Sequence, residues 1–203
     1  LLHNSMTCVL LTLIPLGIVL YKEAISDHEK SIVAARNFYG TLKVFEYNPG
    51  DSINNYLVLQ HGRITHGMQL RDATYKNWPT TYYSRASGVG LLMKNFPRQE
   101  GQRVAVVGLG TGSMAVYGKP GDFYRFYEIN PAVTNIALNT FTHLTDSPAH
   151  VEIAMGDARL TMEREEPQQY DIIVLDAFSS DAVPCHLLTM ESFELYRRHL
   201  KPD

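Results

Sequence analysis

The stretch Arg103 to Gly112, RVAVVGLGTG, restricts the folds open to this chain more than any other feature. Val104 to Val107 is an unbroken run of β-branched and small apolar residues, the pattern of a strand buried on both faces. It runs directly into Gly108, Gly110 and Gly112. Without a Cβ the backbone there can turn sharply and come close to a ligand. A second apolar run, Phe123 to Tyr127, ends on Glu128, an acid placed to receive the hydroxyls of a ribose. Strand, glycine turn, helix, strand and acid make a nucleoside-binding half-fold.

The chain continues in the same alternation. Asn130-Pro131 opens a helix with proline in its first turn, running through Val133, Ile136 and Ala137. Val151 to Ala154 reads as a third strand, closed by Gly156-Asp157-Ala158-Arg159, and Thr161 to Glu166 as a polar helix end or loop. Tyr170 to Asp176 is a fourth strand, and Leu187 to Leu200 an amphipathic helix. The expected fold is therefore α/β, with a Rossmann-like parallel sheet and right-handed crossovers. Ligands of such sheets bind at the carboxyl ends of the strands. Those ends carry, in order, Gly108 to Gly112, Glu128, Asp157 with Ala158, and Asp176 to Asp181. One polar strand end means little, but four in succession define a site.

Upstream the texture differs. Met6 to Tyr21 is uncharged and mostly aliphatic, too short alone for the roughly 30 Å hydrocarbon core but readable as the end of a transmembrane helix with Tyr21 and Lys22 at the interface. A signal peptide and a buried helix fit it less well, for want of a basic leader and of a polar face. Alternation over Tyr39 to Glu46 and Tyr56 to Leu59, with turns at Asn48-Pro49-Gly50-Asp51 and His61-Gly62-Arg63, predicts a small antiparallel β-meander. A helix is expected from Tyr82 to about Asn95. The domain reading is a membrane segment end over 1–21, a linker over 22–36, the meander over 37–81 and the α/β unit over 82–203. The first residue is Leu1 and the last residues are LKPD, so the chain is expected to be a fragment whose last strands lie downstream.

Composition removes several classes. A net charge of −3 provides no basic field for nucleic acid, and two cysteines, Cys8 and Cys185, make neither a disulfide scaffold nor a zinc site. His61, His66, His143 and His186 are assigned no role. A dinucleotide-dependent dehydrogenase is disfavoured, because Gly108-x-Gly110-x-Gly112 is not GxGxxG and Asp157 and Asp176 would be left without a task.

The ordered strand ends resemble the class I S-adenosylmethionine-dependent transferases. That resemblance implies a glycine loop (Gly108, Gly110, Thr111, Gly112) under the amino-acid and ribose portions of the donor, Glu128 on the ribose, and Asp157 with Ala158 facing the adenine. The flanks narrow it. Asn37-Phe38-Tyr39-Gly40 before the meander, Tyr82-Tyr83 before the glycine loop, and Tyr170-Asp171-Ile172-Ile173 leading to Asp176 and Ser179-Ser180-Asp181 are similar to the polyamine synthases, the spermidine synthase family. The string DAFSSDAVPCHLLTMESF is similar to a bacterial branch in which the domain follows a membrane-embedded segment.

The resemblance implies transfer of an aminopropyl group from decarboxylated S-adenosylmethionine to a polyamine, without a metal. Asp176 then serves as general base, Asp181 pairs with the remote ammonium of the diamine, and Tyr82 and Tyr83 line the slot. Structural readings compete: Asp176 as a helix cap, Asp181 as part of a turn, the tyrosines as packing. Two departures stand out. Thr111 occupies the place where the family usually carries an Asp, and Ala177-Phe178 lengthen the catalytic loop. Thr111 keeps an S-adenosylmethionine-dependent methyltransferase open, and a non-catalytic nucleoside-sensing domain is a third reading. The expected partners are a di- or polyamine, a membrane through the N-terminal segment, and a second copy of the chain, but no nucleic acid. The expected location is membrane-associated, with the transferase domain in the cytoplasm.

Overall fold

The computed structural model describes residues 9, 11–22, 31–97, 101–178 and 183–202 of the 203. Eight strands form two four-stranded sheets. The first is an antiparallel meander in the order β1-β2-β3-β4: Ser31–Asn37, Gly40–Tyr47, Tyr56–His61 and Ile64–Leu70. The second is parallel, in the order β7-β6-β5-β8: β5 is Arg103–Val107, β6 Phe123–Glu128, β7 His150–Met155 and β8 Ile172–Leu175. The helices are α1 over residues 11–22, α2 Gly88–Asn95, α3 Pro131–Asn139, α4 Ala158–Arg164 and α5 Met190–His199.

The continuous apolar run of β5 has the expected cause. Val104 and Val106 pack into one core and Ala105 and Val107 into another on the opposite face, and all four are buried. The first core is shared with the meander, joining Leu42, Val44, Leu57 and Leu59 to Met114, Phe126 and Ile136. The second packs the sheet against α4 and α5 through Met162, Leu195 and Tyr196. Burial of both sheet faces is what a parallel sheet requires.

Local sequence signals explain the helix starts. Asn130 Oδ1 accepts the N–H of Ala132 at 3.0 Å with Pro131 at the first helical position, and Thr189 Oγ1 accepts that of Ser192 at 3.3 Å. Ser87 caps α2 through the N–H of Gly90, so this helix begins at Gly88 and Thr81–Tyr83 forms a separate 3₁₀ turn.

Three expectations are corrected, two upstream and one after the glycine loop. Residues 31–36, read as linker, form most of β1, which pairs with β2 from Ser31 to Asn37. Residues 11–22 are helical with every residue exposed, but among the described residues no helix is long and apolar enough to cross a membrane. The transmembrane segment is therefore not supported: twelve helical residues rise only about 18 Å. After the glycine loop the chain forms a 3₁₀ helix, Ser113–Tyr117, in place of the expected α-helix.

The meander sits directly on the glycine loop. A Cβ on Gly67 of β4 (φ +144°) would collide with the side chain of Thr111. Polar ties reinforce the junction: Asn37 Nδ2 donates to Asn130 Oδ1 at 2.6 Å, Gln69 exchanges hydrogen bonds with Thr142 at 2.9 and 3.0 Å, and Lys76 pairs with Asp146 at 2.7 Å.

Candidate active site

A cavity of about 330 Å³ opens at the carboxyl ends of β5, β6, β7 and β8 and is roofed by the meander. That volume lies within the roughly 300–1,000 Å³ of small-molecule sites. Gly108, Gly110, Glu128, Asp157, Ala158, Tyr82 and Asp176 all line it, so most of the residues singled out from the sequence meet in one place.

Glu128 is fixed by backbone. Its Oε2 accepts the N–H of Leu109 at 3.0 Å and its Oε1 that of Asn130 at 2.8 Å. Burial raises its pKa, and these backbone donors offset part of that rise. Each carboxylate oxygen keeps a further lone pair. The carboxylate is thus held in one orientation on the cavity wall.

Asp176 follows β8, and its N–H bonds to the carbonyl of Val107, which keeps it beside the glycine loop. A Cβ on Gly108 (φ +100°) would collide with the Asp176 carbonyl, so the two strand ends can be this close only with glycine there. Its Oδ2 accepts a short hydrogen bond from the Tyr83 hydroxyl, whereas no described residue donates to Oδ1. Burial pushes the carboxyl up to about 6 against the lowering effect of Tyr83. No described helix starts on Asp176, and the segment a cap there would open runs into residues outside the described ones. The pKa values of Tyr82 and Tyr83 are raised by burial first and by the Asp176 charge second, so both remain hydroxyl donors at neutral pH.

Several positions differ from expectation. Asp157 is the residue that caps a helix. Its Oδ1 accepts the N–H of Leu160 at 3.0 Å and its Oδ2 lies 2.9 Å from His186 Nε2, although it stays on the cavity wall. Thr111 is corrected as a donor contact. It is wholly buried, bonded to Ser113 Oγ at 2.8 Å, and absent from the cavity lining. Gly112 is also off the lining, where a Cβ would meet Leu144. Tyr83 is buried behind the wall and acts on Asp176, while only Tyr82 faces the cavity. Asp181, with Ser179 and Ser180, lies outside the described residues.

Sequence reasoning missed two wall residues, His61 and His66, whose rings lie 5.5 Å apart across the β3–β4 hairpin. Burial, then the neighbouring His61, lowers the pKa of His66 and keeps it uncharged at neutral pH. The signal lay in the hairpin turn His61-Gly62-Arg63, which returns both imidazoles to one end of the sheet. Among the described residues no group of three or more His, Cys, Asp or Glu is arranged to hold a metal.

Comparison with known proteins bears on this arrangement. No protein-family model matches the chain. A polyamine aminopropyltransferase of Vibrio vulnificus is 35% identical over 117 residues, 54% of this chain and 36% of that protein. A probable polyamine aminopropyl transferase of Bifidobacterium longum is 26% identical over 164 residues, 75% of this chain and 34% of its own length. Part of the chain is thus similar in sequence to two polyamine aminopropyltransferases. It spans about a third of the length of these two aminopropyltransferases. An N-terminal histidine N-methyltransferase of Emericella nidulans is 34% identical over 113 residues, 53% of this chain and 20% of that protein. The fold is shared with two solved structures. A probable spermidine synthase of Corynebacterium glutamicum superposes with a TM-score of 0.62 at 20% identity, over 84% of this chain and 60% of its own. The spermidine synthase of Thermotoga maritima gives 0.59 at 16%, over 85% and 54%.

Proposed function

We propose that this chain carries the donor site and the general base of an aminopropyl transfer from decarboxylated S-adenosylmethionine to a di- or polyamine. The observation that carries the reading is Asp176: a half-buried carboxylate with a raised pKa, one oxygen held by Tyr83 and the other with no donor among the described residues, in the same cavity as the backbone-fixed Glu128. The named activities of the two aminopropyltransferase relatives support it.

Glu128 accepts the ribose hydroxyls, and Gly108 and Gly110 leave room for the donor above the loop. An acceptor amine is protonated in water, with a pKa near that of lysine, about 10.4. Asp176 Oδ1 receives one of its protons. The freed nitrogen lone pair forms a bond to the methylene carbon beside the sulfonium. The carbon–sulfur bond breaks with its electrons passing to sulfur, which leaves as a neutral thioether. Raising the carboxyl to about 6 makes it a better base while leaving it ionised at neutral pH. The hydroxyl of Tyr83 holds Asp176 in position. In this reading Asp181 pairs with the remote ammonium of the acceptor and Tyr82 packs against its chain.

The test is turnover of decarboxylated S-adenosylmethionine with putrescine or spermidine by the longest natural form of the protein. Asp176→Asn is expected to lower kcat by about 10²–10⁴-fold with donor affinity within a few-fold of the parent. Unchanged turnover defeats the assignment.

One observation favours a second reading, methyl transfer from ordinary S-adenosylmethionine. Thr111 is buried off the cavity, so the glycine loop offers no carboxylate to an aminopropyl ammonium. The methyltransferase name of the third relative points the same way. Calorimetric titration with both donors separates the two readings, and a clear preference for the carboxylated donor selects the second.

A further inference from the structure

His186 is a polar neighbour of the cavity that neither reading uses. It stands in the 3₁₀ turn Cys185–Leu187, on the limb that returns the chain from beyond β8. Its Nε2 lies 2.9 Å from Asp157 Oδ2, and opposite a carboxylate that nitrogen is the donor. Its carbonyl accepts from Ser192 Oγ at 2.5 Å and from Arg159 Nη1 at 3.1 Å, which anchors the same residue to α5 and α4. Pro184 and Leu187, on either side of it, line the cavity. One residue therefore joins a wall carboxylate to the limb that forms part of the wall.

The consequence lies in the geometry of Asp157. Capping engages only Oδ1, through the N–H of Leu160 at 3.0 Å, and leaves the carboxylate able to rotate about its Cβ–Cγ bond. A second donor on Oδ2 removes that freedom and fixes where the unused lone pairs stand. A fixed acceptor discriminates sharply. A base bearing an amino group donates to it, whereas a base bearing a carbonyl in the same place sets oxygen against oxygen. A freely turning carboxylate loses much of that distinction. We propose that His186 is a specificity-determining positioning residue, which locks Asp157 so that the cavity selects an amino-bearing purine over its oxo counterpart. The inference rests on the nucleoside-donor reading of the cavity.

The experiment is calorimetric titration of S-adenosylhomocysteine and S-inosylhomocysteine, which differ in the 6-amino against the 6-oxo group and in the proton the oxo base carries on N1. The latter is a difference that His186 does not touch and that the variants therefore leave constant. The parent protein is expected to prefer the adenosyl compound by about tenfold or more. His186→Ala is expected to reduce that ratio to about twofold. His186→Gln, whose side-chain amide can donate from nearly the place of Nε2, is expected to restore most of it. A purely structural role weakens both ligands equally and leaves the ratio unmoved, so an unchanged ratio in His186→Ala overturns the proposal. A glutamine variant no better than alanine also overturns it. Failure of the parent protein to bind either S-adenosylhomocysteine or 5′-methylthioadenosine, the thioether left after aminopropyl transfer, overturns the donor reading itself. Binding without preference overturns the inference alone.

Discussion

Asp176 exposes a conflict between folding and chemistry at the level of one residue. Its carboxyl is raised from the model-compound value of 3.8 to about 6 because burial penalises the charged form. Folding therefore favours the protonated acid. The penalty is absent well below pH 3.8, where the group is protonated folded and unfolded alike, grows as pH rises towards 6, and is fully present above it. About two pKa units correspond to an upper figure of about 3 kcal/mol. Asp176→Asn, which keeps an oxygen for the Tyr83 hydroxyl, should thus stabilise the fold by about 1–3 kcal/mol at pH 7.5 and by much less at pH 4. Urea unfolding at the two pH values measures the difference; equal stabilities at pH 7.5 would remove the basis for a raised pKa. The same substitution should abolish turnover, so the residue is kept at a cost in stability. Its candidacy was legible as an acid at a strand end. Its partner was not, because Tyr83 is 93 residues away and their meeting depends on how the meander and sheet pack.

At the scale of elements, the site exists because strand ends approach one another closely. Gly108 permits this on the sheet side, with φ at +100° and the Asp176 carbonyl where a Cβ would stand. Gly108→Ala should cost about 2–4 kcal/mol through backbone strain and displacement of the β8 end, and weaken donor binding at least tenfold. Thermal unfolding and calorimetry check the two effects, and a variant of parental stability and affinity contradicts the packing described. The start of α3 was well signalled, since Asn130-Pro131 is local chemistry visible without the fold, whereas α2 starts at Gly88 and not at Tyr82, and α5 at Met190 and not at Leu187. The 3₁₀ helix after the glycine loop was not signalled, because Ser113 to Tyr117 has unexceptional helix propensity. The burial of Met114 and Ala115 in the core shared with the meander is a tertiary fact. The first strand was missed for a related reason. Ser31 to Asn37 alternates only weakly, and its strand state comes from pairing with β2.

For the molecule as a whole, the meander is a structural part of the site and not an appendage. Leu42, Val44, Leu57 and Leu59 share one core with the parallel sheet, and His61, His66 and Tyr39 bring the meander to the cavity wall. The two sheets should therefore unfold together. Trp78, between the last meander strand and α2, reports on that junction, while far-UV circular dichroism is weighted to both sheets and the helices. Coincident urea transitions by the two probes are expected, and separated midpoints would show two independently stable units.

The sequence by itself determined the α/β class, the parallel strand run from Arg103, and the four strand ends that meet at the cavity. These follow from local periodicity and from glycines and acids at fixed offsets, which act over a few residues. Tertiary structure alone decided which polar groups face the cavity and what each one touches. It turned Thr111 inward, set His186 on Asp157 and Tyr83 on Asp176, and brought two histidines from the meander to the wall. The helix cap on Asp157 is local, but the Tyr83–Asp176 and His186–Asp157 contacts, the burial of Thr111 and the placing of the two histidines depend on residues far apart in the chain, where burial and hydrogen-bond competition outweigh any local preference.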